Sequence, residues 1–408
     1  MPADGTPRSL AIPRGTILLL ALAGFFSSSA LRVCDALLPR LSEEFQRTPG
    51  EVSHVVTGFA LAYGLMQLVF GPLADRYGKM RLMCHALVGC AVASVIAAVA
   101  FNFHALVAAR VLWGAAAAGI IPLAMAWIGD AMPYEERQTT LARFMTGTLT
   151  GMIAGQLVGG VFADLAAGWR GAFALFTLGY LCIAILLARR AAGITVGNTP
   201  QPQTGQGFAG KLATVLGEPW ARVVLLAVFV EGLFLLGPLA YIPTLLHDTF
   251  GIPLVLAAGL TACNALGGLL YALNAKRIVT RLGERRMVFL GGLFAGVGFL
   301  AWMAMPHWVW AAPAAFVLGF GTYLFHNTLQ THATQMAPSV RGSAVSVFAF
   351  CLFVGQALGV LLAGSLIDSL GFALPLLLPA VVLPLTGAAF ARALRRRTAL
   401  RRASASAK

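Results

Sequence analysis

Long apolar runs separated by short polar stretches form the pattern of this chain. Each run is about 20 residues long, which is the length that an α-helix needs to cross the hydrocarbon core of a bilayer. We therefore expect an all-α polytopic membrane protein. The runs predict twelve membrane-spanning helices, at 15–38, 51–74, 82–101, 105–130, 140–166, 171–189, 221–246, 253–278, 285–304, 308–335, 343–367 and 372–393.

A polar segment divides the twelve predicted helices into two groups of six. Its part from Gly193 to Gly207 is rich in Gly, Pro, Gln and Thr, which is typical of a flexible linker. Residues 208–216, which follow, suit a short surface helix. The predicted organisation is an N-terminal segment at 1–14, a first half at 15–189, a linker at 190–220, a second half at 221–393 and a basic tail at 394–408.

Composition agrees with a membrane protein. Of the 408 residues, 59% are hydrophobic and 11% are charged, whereas soluble domains carry about 25% charged residues. The six cysteines lie in or beside apolar runs without the spacing of a metal site or a disulfide framework. The chain contains no nucleophile elbow, phosphate loop or paired catalytic carboxylates, so we expect neither an enzyme nor a cofactor.

Positive charges predict how the chain is oriented in the membrane. If both termini are cytoplasmic, all but five of the 29 Lys and Arg residues lie on the cytoplasmic side. The five are Arg32, Arg40, Arg47, Arg110 and Arg170. The net charge of +14 then reflects this bias, and the tail from Arg392 onward is expected to rest on anionic lipid, not nucleic acid. The predicted location is a bacterial inner membrane.

The polar stretch at 71–81, with the sequence GPLADRYGKMR, lies between two apolar runs. We expect a tight, solvent-facing hairpin there, in which Gly71 and Gly78 permit a sharp turn and close backbone approach. Its second part, RYGKMR, is echoed by RLGERR at 281–286.

Two further echoes support an internal repeat. Gly155-Gln156 recurs as Gly355-Gln356, and Pro133 recurs as Pro338, so the offsets are 200 and 205 residues. The sequence thus predicts two related halves with a substrate site between them near the middle of the membrane.

The stretch at 71–81 resembles the loop between helices 2 and 3 of the major facilitator superfamily of secondary transporters. The fourth predicted helix is similar to the same family's l-x-x-x-R-x-x-q-G motif through Leu106, Arg110 and Gly114, with Trp113 where glutamine is usual. The resemblance implies the major facilitator fold over the whole chain. It also implies a gate that locks the halves in the outward-open state, through ion pairs and through contact of the loop aspartate with helix 11. The implied gate residues are Gly71, Asp75, Arg76, Gly78, Lys79 and Asp130.

The fifth predicted helix carries glycine at every fourth position, ending in Gly155, Gln156 and Gly159. This pattern resembles the exporter motif of that superfamily, with Gln156 where proline is expected. Two explanations are open, namely a motif of antiport and close packing of two helices along a smooth face.

Charges inside spanning helices are costly and are candidates for function by default. Arg32 and Asp35 are three residues apart and can pair. This pair is either a local neutralisation near the interface, or it leaves Asp35 able to take up a proton from a central cavity.

Arg110 and Glu231 complete the charged set. The resemblance implies that Arg110 acts in proton transfer by stabilising a nearby carboxylate, and an outward-snorkelling interfacial arginine is the alternative. Glu231 lies near the middle of the seventh helix without a neighbouring charge in sequence. One interpretation is that Glu231 carries protons or contacts a cationic substrate. The other is that it is permanently protonated and serves only as a hydrogen-bonding residue. We predict proton coupling by Glu231, Asp35 and Arg110.

The tenth predicted helix holds a polar stripe that includes Tyr323, His326, Asn327, Gln330 and His332. His326 and Gln330 share a helix face, which suits a cavity lining, although a satisfied core histidine is the more ordinary outcome. The predicted cavity residues are Arg32, Gln156, Asn264, His326 and Gln356.

We therefore predict a proton-coupled secondary transporter that works by alternating access and exports small amphipathic or cationic compounds. It is similar to the twelve-helix drug/proton antiporter branch of the superfamily. Because Arg32 and Arg110 would suit an anion, transport of a small organic anion or sugar is the alternative. The expected partners are a small-molecule substrate, protons and the lipid bilayer, and a monomer suffices. A sensor of the same fold would bind a ligand without transporting it, and no filter-like segment favours a channel.

Overall fold

The computed structural model describes residues 15–191 and 207–406, and this part of the chain contains helices and turns but no strand. The predicted N-terminal segment at 1–14, residues 192–206 of the predicted linker and the last two residues of the tail lie outside the described residues. The predicted surface helix after the linker is confirmed, since a helix spans Phe208–Gly217.

The helices follow one another as in the predicted pattern. Those of the first half are α1 (Thr16–Arg32), α2 (Leu38–Phe45), α3 (Pro49–Val52), α4 (His54–Tyr77), α5 (Lys79–Ala98), α6 (Phe103–Ala117), α7 (Ile120–Ala131), α8 (Tyr134–Asp164) and α9 (Gly168–Ala191). Those of the second half are α10 (Phe208–Gly217), α11 (Pro219–Glu231), a π-helical segment (Gly232–Leu236), α12 (Gly237–Leu239), α13 (Ile242–Phe250), α14 (Leu254–Ala262), α15 (Asn264–Ala304), α16 (Ala311–Ala333), α17 (Arg341–Leu370) and α18 (Ala373–Ser406).

Nine segments of the described chain are long and apolar enough to cross a membrane, which is fewer than the twelve predicted. One of them, Leu254–Ala304, contains a break at Gly283 and covers two predicted spans. Helices α1 and α8 occupy the positions of the first and fifth predicted spans. The number twelve is therefore not reproduced by length and hydropathy, whereas the all-helical membrane fold is confirmed.

The predicted tight turn in the stretch at 71–81 is formed, but at one residue only, and most of the stretch is helix. Gly71 lies inside α4 with open space beside it, so its predicted part in the turn and in close backbone approach is wrong. Helix α4 continues through Tyr77, Gly78 alone makes the turn with φ 86°, and α5 begins at Lys79. The same turn recurs at Gly283, where φ is 68°. Residues with a Cβ atom rarely adopt a positive φ, so both turns favour glycine. Their separation of 205 residues supports the predicted repeat of the two halves.

Glycines allow α8 to pack closely on α1. A methyl group at any of four α8 positions would collide with a main-chain oxygen of α1, between Ala21 and Val33. The four positions are Gly147, Gly151, Gly155 and Gly159. The predicted smooth packing face is confirmed, and helix packing by itself accounts for these glycines.

The second half repeats this packing between α17 and α11. A methyl group at Gly355 would collide with the carbonyl oxygen of Phe229, and one at Gly359 would collide with that of Leu233. In the first half, Gly155 meets Ser29 in the same way. Ser29 and Phe229 therefore occupy equivalent positions in the two halves.

Because Ser29 and Phe229 are equivalent, two interruptions of regular α-helix fall at corresponding places in the two halves. Helix α1 ends at Arg32 and is followed by a turn at 33–37, while α11 ends at Glu231 and continues as the π-helical segment. The interruptions begin four residues after Ser29 and three residues after Phe229. Discontinuous helices at corresponding positions of two repeats are the usual place for a transporter's binding site.

Hydrogen bonds join the halves at the end of the molecule opposite Gly78. The Asp368 carboxylate of α17 accepts from Thr48 Oγ1 at 2.6 Å and from the Gly50 amide at 3.0 Å. On the other side of the interface, Asp164 accepts from the amides of Leu254 (3.3 Å) and Val255 (2.9 Å), where α14 begins. The N-terminus of a helix favours such a carboxylate.

The apolar core is continuous across the same end. The core of the first half includes the fully buried Trp113 and Trp127 and extends to Tyr241 and Val360 of the second half. We call this end, with its packing and hydrogen bonds, the closed end. The opposite end is the basic end, because Lys and Arg residues follow its Gly78 turn.

Candidate functional site

A buried carboxyl-imidazole pair lies in the second half. Glu231 is the last residue of α11, directly before the π-helical segment, and it is 1% exposed. His326 of α16 places its Nδ1 atom 3.1 Å from both carboxylate oxygens, and its side chain is 27% exposed. Glu231 was predicted as a proton site and His326 as a cavity residue. The structure brings the two together.

The pair can change its protonation state at one place in the membrane. A buried carboxylate is unfavourable without a partner, and a protonated imidazole at this distance supplies one. Loss of one proton from the pair leaves a net negative charge, while gain of a further proton leaves a net positive charge. His326 is the partly exposed member of the pair and Glu231 the buried one.

Polar and aromatic groups surround His326 on α16. The Phe348 ring lies 5.7 Å from the His326 ring. Asn327 donates to the Tyr271 hydroxyl, and the rings of Tyr271 and Tyr323 are 6.4 Å apart. The predicted polar stripe is thus present around His326.

Two other members of that stripe point elsewhere. Gln330 is exposed, although it shares the helix face of His326. His332 is buried near the basic end, where it lies against Trp220 and Phe390 and 3.2 Å from a carboxylate oxygen of Glu284. The stripe therefore divides into a central part and a part at the basic end.

The predicted pair of Arg32 and Asp35 is formed. Arg32 Nη1 lies 3.1 Å from Asp35 Oδ2, and the two side chains are 3% and 0% exposed. The other carboxylate oxygen, Oδ1, is buried without a hydrogen-bond partner among the described residues. A proton on Oδ1 would neutralise Asp35 and end the ion pair, while the hydrogen bond from Arg32 to Oδ2 could remain.

Arg110 is fully buried, so the alternative of an arginine that snorkels outward is wrong. Its guanidinium donates to the carbonyl oxygens of Ala30 (3.1 Å) and Val55 (3.2 Å). It also lies over the Phe59 ring at 4.2 Å and the Trp113 ring at 5.1 Å. Asp35 is paired with Arg32 instead, and Arg110 forms no ion pair within the described part of the chain.

These contacts give a physical reason for tryptophan at position 113. Carbonyl oxygens and aromatic faces compensate a buried cation in the absence of a carboxylate. Trp113 packs edge to face on Phe173 and Phe176, with ring centroids 5.5 and 5.4 Å away. Arg110 therefore ties α6 to α1 and α4 within an aromatic core.

The remaining predicted cavity residues are spread over three helices. Gln156 of α8 is buried. Gln356 of α17 is also buried, and neither its amide oxygen nor its amide nitrogen has a hydrogen-bond partner among the described residues. The Gln356 main chain packs against Gly232, the residue after Glu231. Asn264 begins α15, is half-buried, and packs its main chain against Gly319 of α16.

At the basic end, Lys79 forms an ion pair with Asp130. This pair joins the start of α5 to the end of α7 next to the Gly78 turn. Arg76 lies over the ring of Tyr77, with 5.3 Å to its centroid. The structure gives Asp75 no hydrogen bond or ion pair within the described ranges, and the implied contact with α17 is not formed. The gate roles stay predictions.

The second half has a contact in the equivalent place, with a glutamate where the first half has a lysine and a histidine where it has an aspartate. Glu284 follows Gly283 as Lys79 follows Gly78, and it approaches His332 near the end of α16. His332 lies 202 residues after Asp130. The repeat thus preserves the place of a polar link while replacing its chemistry.

Sequence reasoning did not identify the π-helical segment or the two histidine-glutamate pairs. Gly232, Gly237 and Pro238 within one apolar span were a usable signal, because glycine and proline interrupt helices at functional sites of transporters. No local signal links Glu231 to His326, which lies 95 residues away.

A family comparison decides what this architecture is. The model of the Major Facilitator Superfamily matches residues 20–359 and 260–408. The chain belongs to the major facilitator superfamily. It is therefore a multi-pass membrane transporter, and at the level of the family it is not an enzyme.

The relatives agree with this assignment. The chain is similar to the "Uncharacterized MFS-type transporter YceJ" of Bacillus subtilis, with 24% identity over 82% of this chain and 84% of the relative. It is also similar to "Probable efflux pump mfs2" of Aspergillus flavus, with 24% identity over 82% and 90%.

Solved structures share the fold. A bacterial homolog of the human lysosomal transporter Spinster, in an inward-facing and unoccupied conformation, superposes with a TM-score of 0.74 and 18% identity, covering 95% of this chain and 97% of that one. The predicted all-helical major facilitator fold is thereby confirmed, whereas the count of six helices in each half is not.

Proposed function

We propose that this member of the superfamily is a proton-coupled antiporter that exports small amphipathic or cationic compounds by alternating access. The observation that carries the proposal is the buried pair of Glu231 and His326 beside the π-helical segment of the second half. Glu231, Asp35 and Arg110 remain the proposed coupling residues, and His326 joins them.

The chemistry of the pair supports exchange of a proton for a cation. When the pair has lost a proton, its net negative charge attracts a cation at a site of low dielectric constant. When the proton returns, that attraction is lost. A proton and a cationic substrate therefore compete for one carboxylate, which is the requirement for antiport.

The surroundings favour a cation with an apolar body over an anion. His326 lies beside the Phe348 ring, and Tyr63 of the first half lies 4.5 Å from Phe353 of the second, measured between ring centroids. Aromatic faces attract cations. In contrast, Arg32 is already paired with Asp35, and the bonds of Arg110 to carbonyl oxygens leave it deep in the first half.

The orientation is part of the proposal. The excess of Lys and Arg at the basic end supports a cytoplasmic position for that end and for both termini in an inner membrane. The closed end then faces outward. In this orientation Gly71, Asp75, Arg76, Gly78, Lys79 and Asp130 form a cytoplasmic gate, and one chain suffices for transport.

The test is transport in proteoliposomes that hold a pH-sensitive dye. Tetraphenylphosphonium serves as the cationic probe and benzoate as the anionic one, each under an imposed proton gradient. We expect tetraphenylphosphonium to drive proton movement in the wild type and in Glu218→Gln, an exposed matched control at the start of α11. We expect no such movement in Glu231→Gln.

Two outcomes would contradict the proposal. Proton movement that persists in Glu231→Gln would remove Glu231 as the coupling residue. Proton movement with benzoate alone, in the wild type and in Glu231→Gln, would transfer the site to Arg32, Asp35 and Arg110 and support the organic-anion alternative.

A further inference from the structure

An apolar groove of about 380 Å³ runs along the outer surface of the second half between α11 and α18. Among the residues that line it are Val223, Leu226, Val230, Val382, Leu385 and Ala389. The one hydroxyl in its wall, that of Thr386, already donates to the Val382 carbonyl oxygen at 2.8 Å. The groove can therefore bind an apolar group by shape and van der Waals contact, but its lining has no free polar group for a hydrogen bond.

The groove runs along the membrane normal toward the basic end. From Val230 to Val223 the helical rise gives a length of about 10 Å. Phe390 closes its wall near the basic end and packs on Trp220, with 5.4 Å between ring centroids. The groove thus covers the part of a lipid chain that lies next to a headgroup.

Three arginines lie on the parts of α11 and α18 that continue from the groove toward the basic end. Arg222 is exposed and fixed in place, since it donates to the carbonyl oxygens of Leu216 (2.7 Å) and Gly217 (3.3 Å). Arg397 lies 4.3 Å above the Trp220 ring. Arg396 is exposed.

Helical spacing places two of these cations in line with the groove. Arg396 and Arg397 follow Ala389 by seven and eight residues, which is two turns along the same face of α18. Glu218, at the start of α11, leaves the cluster with a net positive charge. An apolar slot that ends in a positive cluster complements a molecule with an acyl chain and an anionic head.

We propose that this groove is a specific site for an anionic phospholipid, with one acyl chain between α11 and α18 and the phosphate at Arg222 and Arg396. A zwitterionic phospholipid can fill the slot but gains less from the arginines. Each basic residue near a membrane surface contributes about fivefold to the affinity for anionic lipid.

Trp220 reports on occupancy of the site. The chain has seven tryptophans, and the signal of Trp220 is obtained as the difference between the wild type and Trp220→Phe. We would reconstitute both proteins in mixed bilayers that contain phosphatidylglycerol or phosphatidylcholine with one chain brominated near the headgroup. Bromine quenches tryptophan at short range, so quenching of the difference signal measures lipid in the groove.

We expect phosphatidylglycerol to quench Trp220 at a several-fold lower mole fraction than phosphatidylcholine. Arg396→Gln should reduce this preference about fivefold, whereas Arg281→Gln, an exposed arginine on α15, serves as the matched control and should leave it unchanged. Ala389→Phe fills the slot from an exposed position and should reduce quenching by both lipids.

Three results would overturn the proposal. Equal quenching by both lipids would show that the arginines do not select the headgroup. Quenching unaffected by Ala389→Phe would show that the acyl chain of the lipid does not lie in the groove. Crosslinks between two protein copies through α11 and α18 would show that a second chain covers it. None of these readouts depends on transport, so a negative result here leaves the proposed antiport untouched, and a negative transport result leaves the lipid site untouched.

Discussion

Removal of His326 tests whether it and Glu231 act as one unit. In His326→Gln the imidazole that faces both carboxylate oxygens at 3.1 Å is replaced by an amide without a titrating group. In Glu231→Gln the carboxylate is lost and the imidazole remains. The double variant removes both. If the pair carries the proton, the effects of the two substitutions cannot be independent.

Geometry sets the size of the effect. Two unit charges 3.1 Å apart attract one another by about 5 kcal/mol at an effective dielectric constant of about 20. Desolvation of both groups offsets part of this energy. We take about 2 kcal/mol as the remaining coupling, which corresponds to a factor of roughly 30.

The assay is substrate-driven proton movement in proteoliposomes with tetraphenylphosphonium. We expect His326→Gln to slow exchange about 30-fold, and Glu231→Gln and the double variant to show no substrate-driven proton movement. His85→Gln changes an exposed histidine of α5 and is the control. If His326→Gln exchanges at the rate of the wild type, the two residues do not act as one unit and the reasoning fails.

Three further predictions concern packing, the ion pair at the basic end and the closed end. Gly155→Leu collides with the main chain of α1 and should destabilise the protein by about 1–3 kcal/mol, measured by thermal unfolding. The control Gly129→Leu has open space around it and should not. Equal melting temperatures of the two variants would refute the packing argument. Exchange of charges between Lys79 and Asp130 should restore transport that either single reversal impairs, and impaired transport in the exchanged variant would show that the ion pair is not what matters. Asp368→Asn weakens the charged hydrogen bonds of the closed end, so spin-label distances across that end should shift toward longer values; an unchanged distribution would mean that packing alone holds it shut.

Local features of the fold were predictable because they depend on neighbouring residues. The pair of Arg32 and Asp35 follows from a spacing of three residues. The turn at Gly78 and its counterpart at Gly283 follow from glycine between polar residues, although the extension of α4 to the turn did not. The helix-packing role of the α8 glycines likewise follows from their period of four.

Contacts between distant helices were not predictable in this way. Whether Glu231 faces His326 depends on the rotation of α11 about its axis and on its offset from α16, and the apolar pattern fixes neither to within one turn. The π-helical segment adds one residue per turn directly after Glu231. It changes the direction of every side chain beyond that point, which a regular period of 3.6 cannot reproduce.

The repeat of the two halves gives the difference between their charged groups a mechanistic meaning. Equivalent interruptions follow α1 and α11, but different basic groups lie beside them. In the first half Asp35 is paired with Arg32, and Arg110 donates to carbonyl oxygens. In the second half Glu231 faces His326. An acid thus lies beside each interruption, with an arginine as its partner in the first half and a histidine in the second. An arginine stays protonated in proteins, whereas an imidazole can lose its proton. We therefore infer that a change of proton occupancy acts first on the second half.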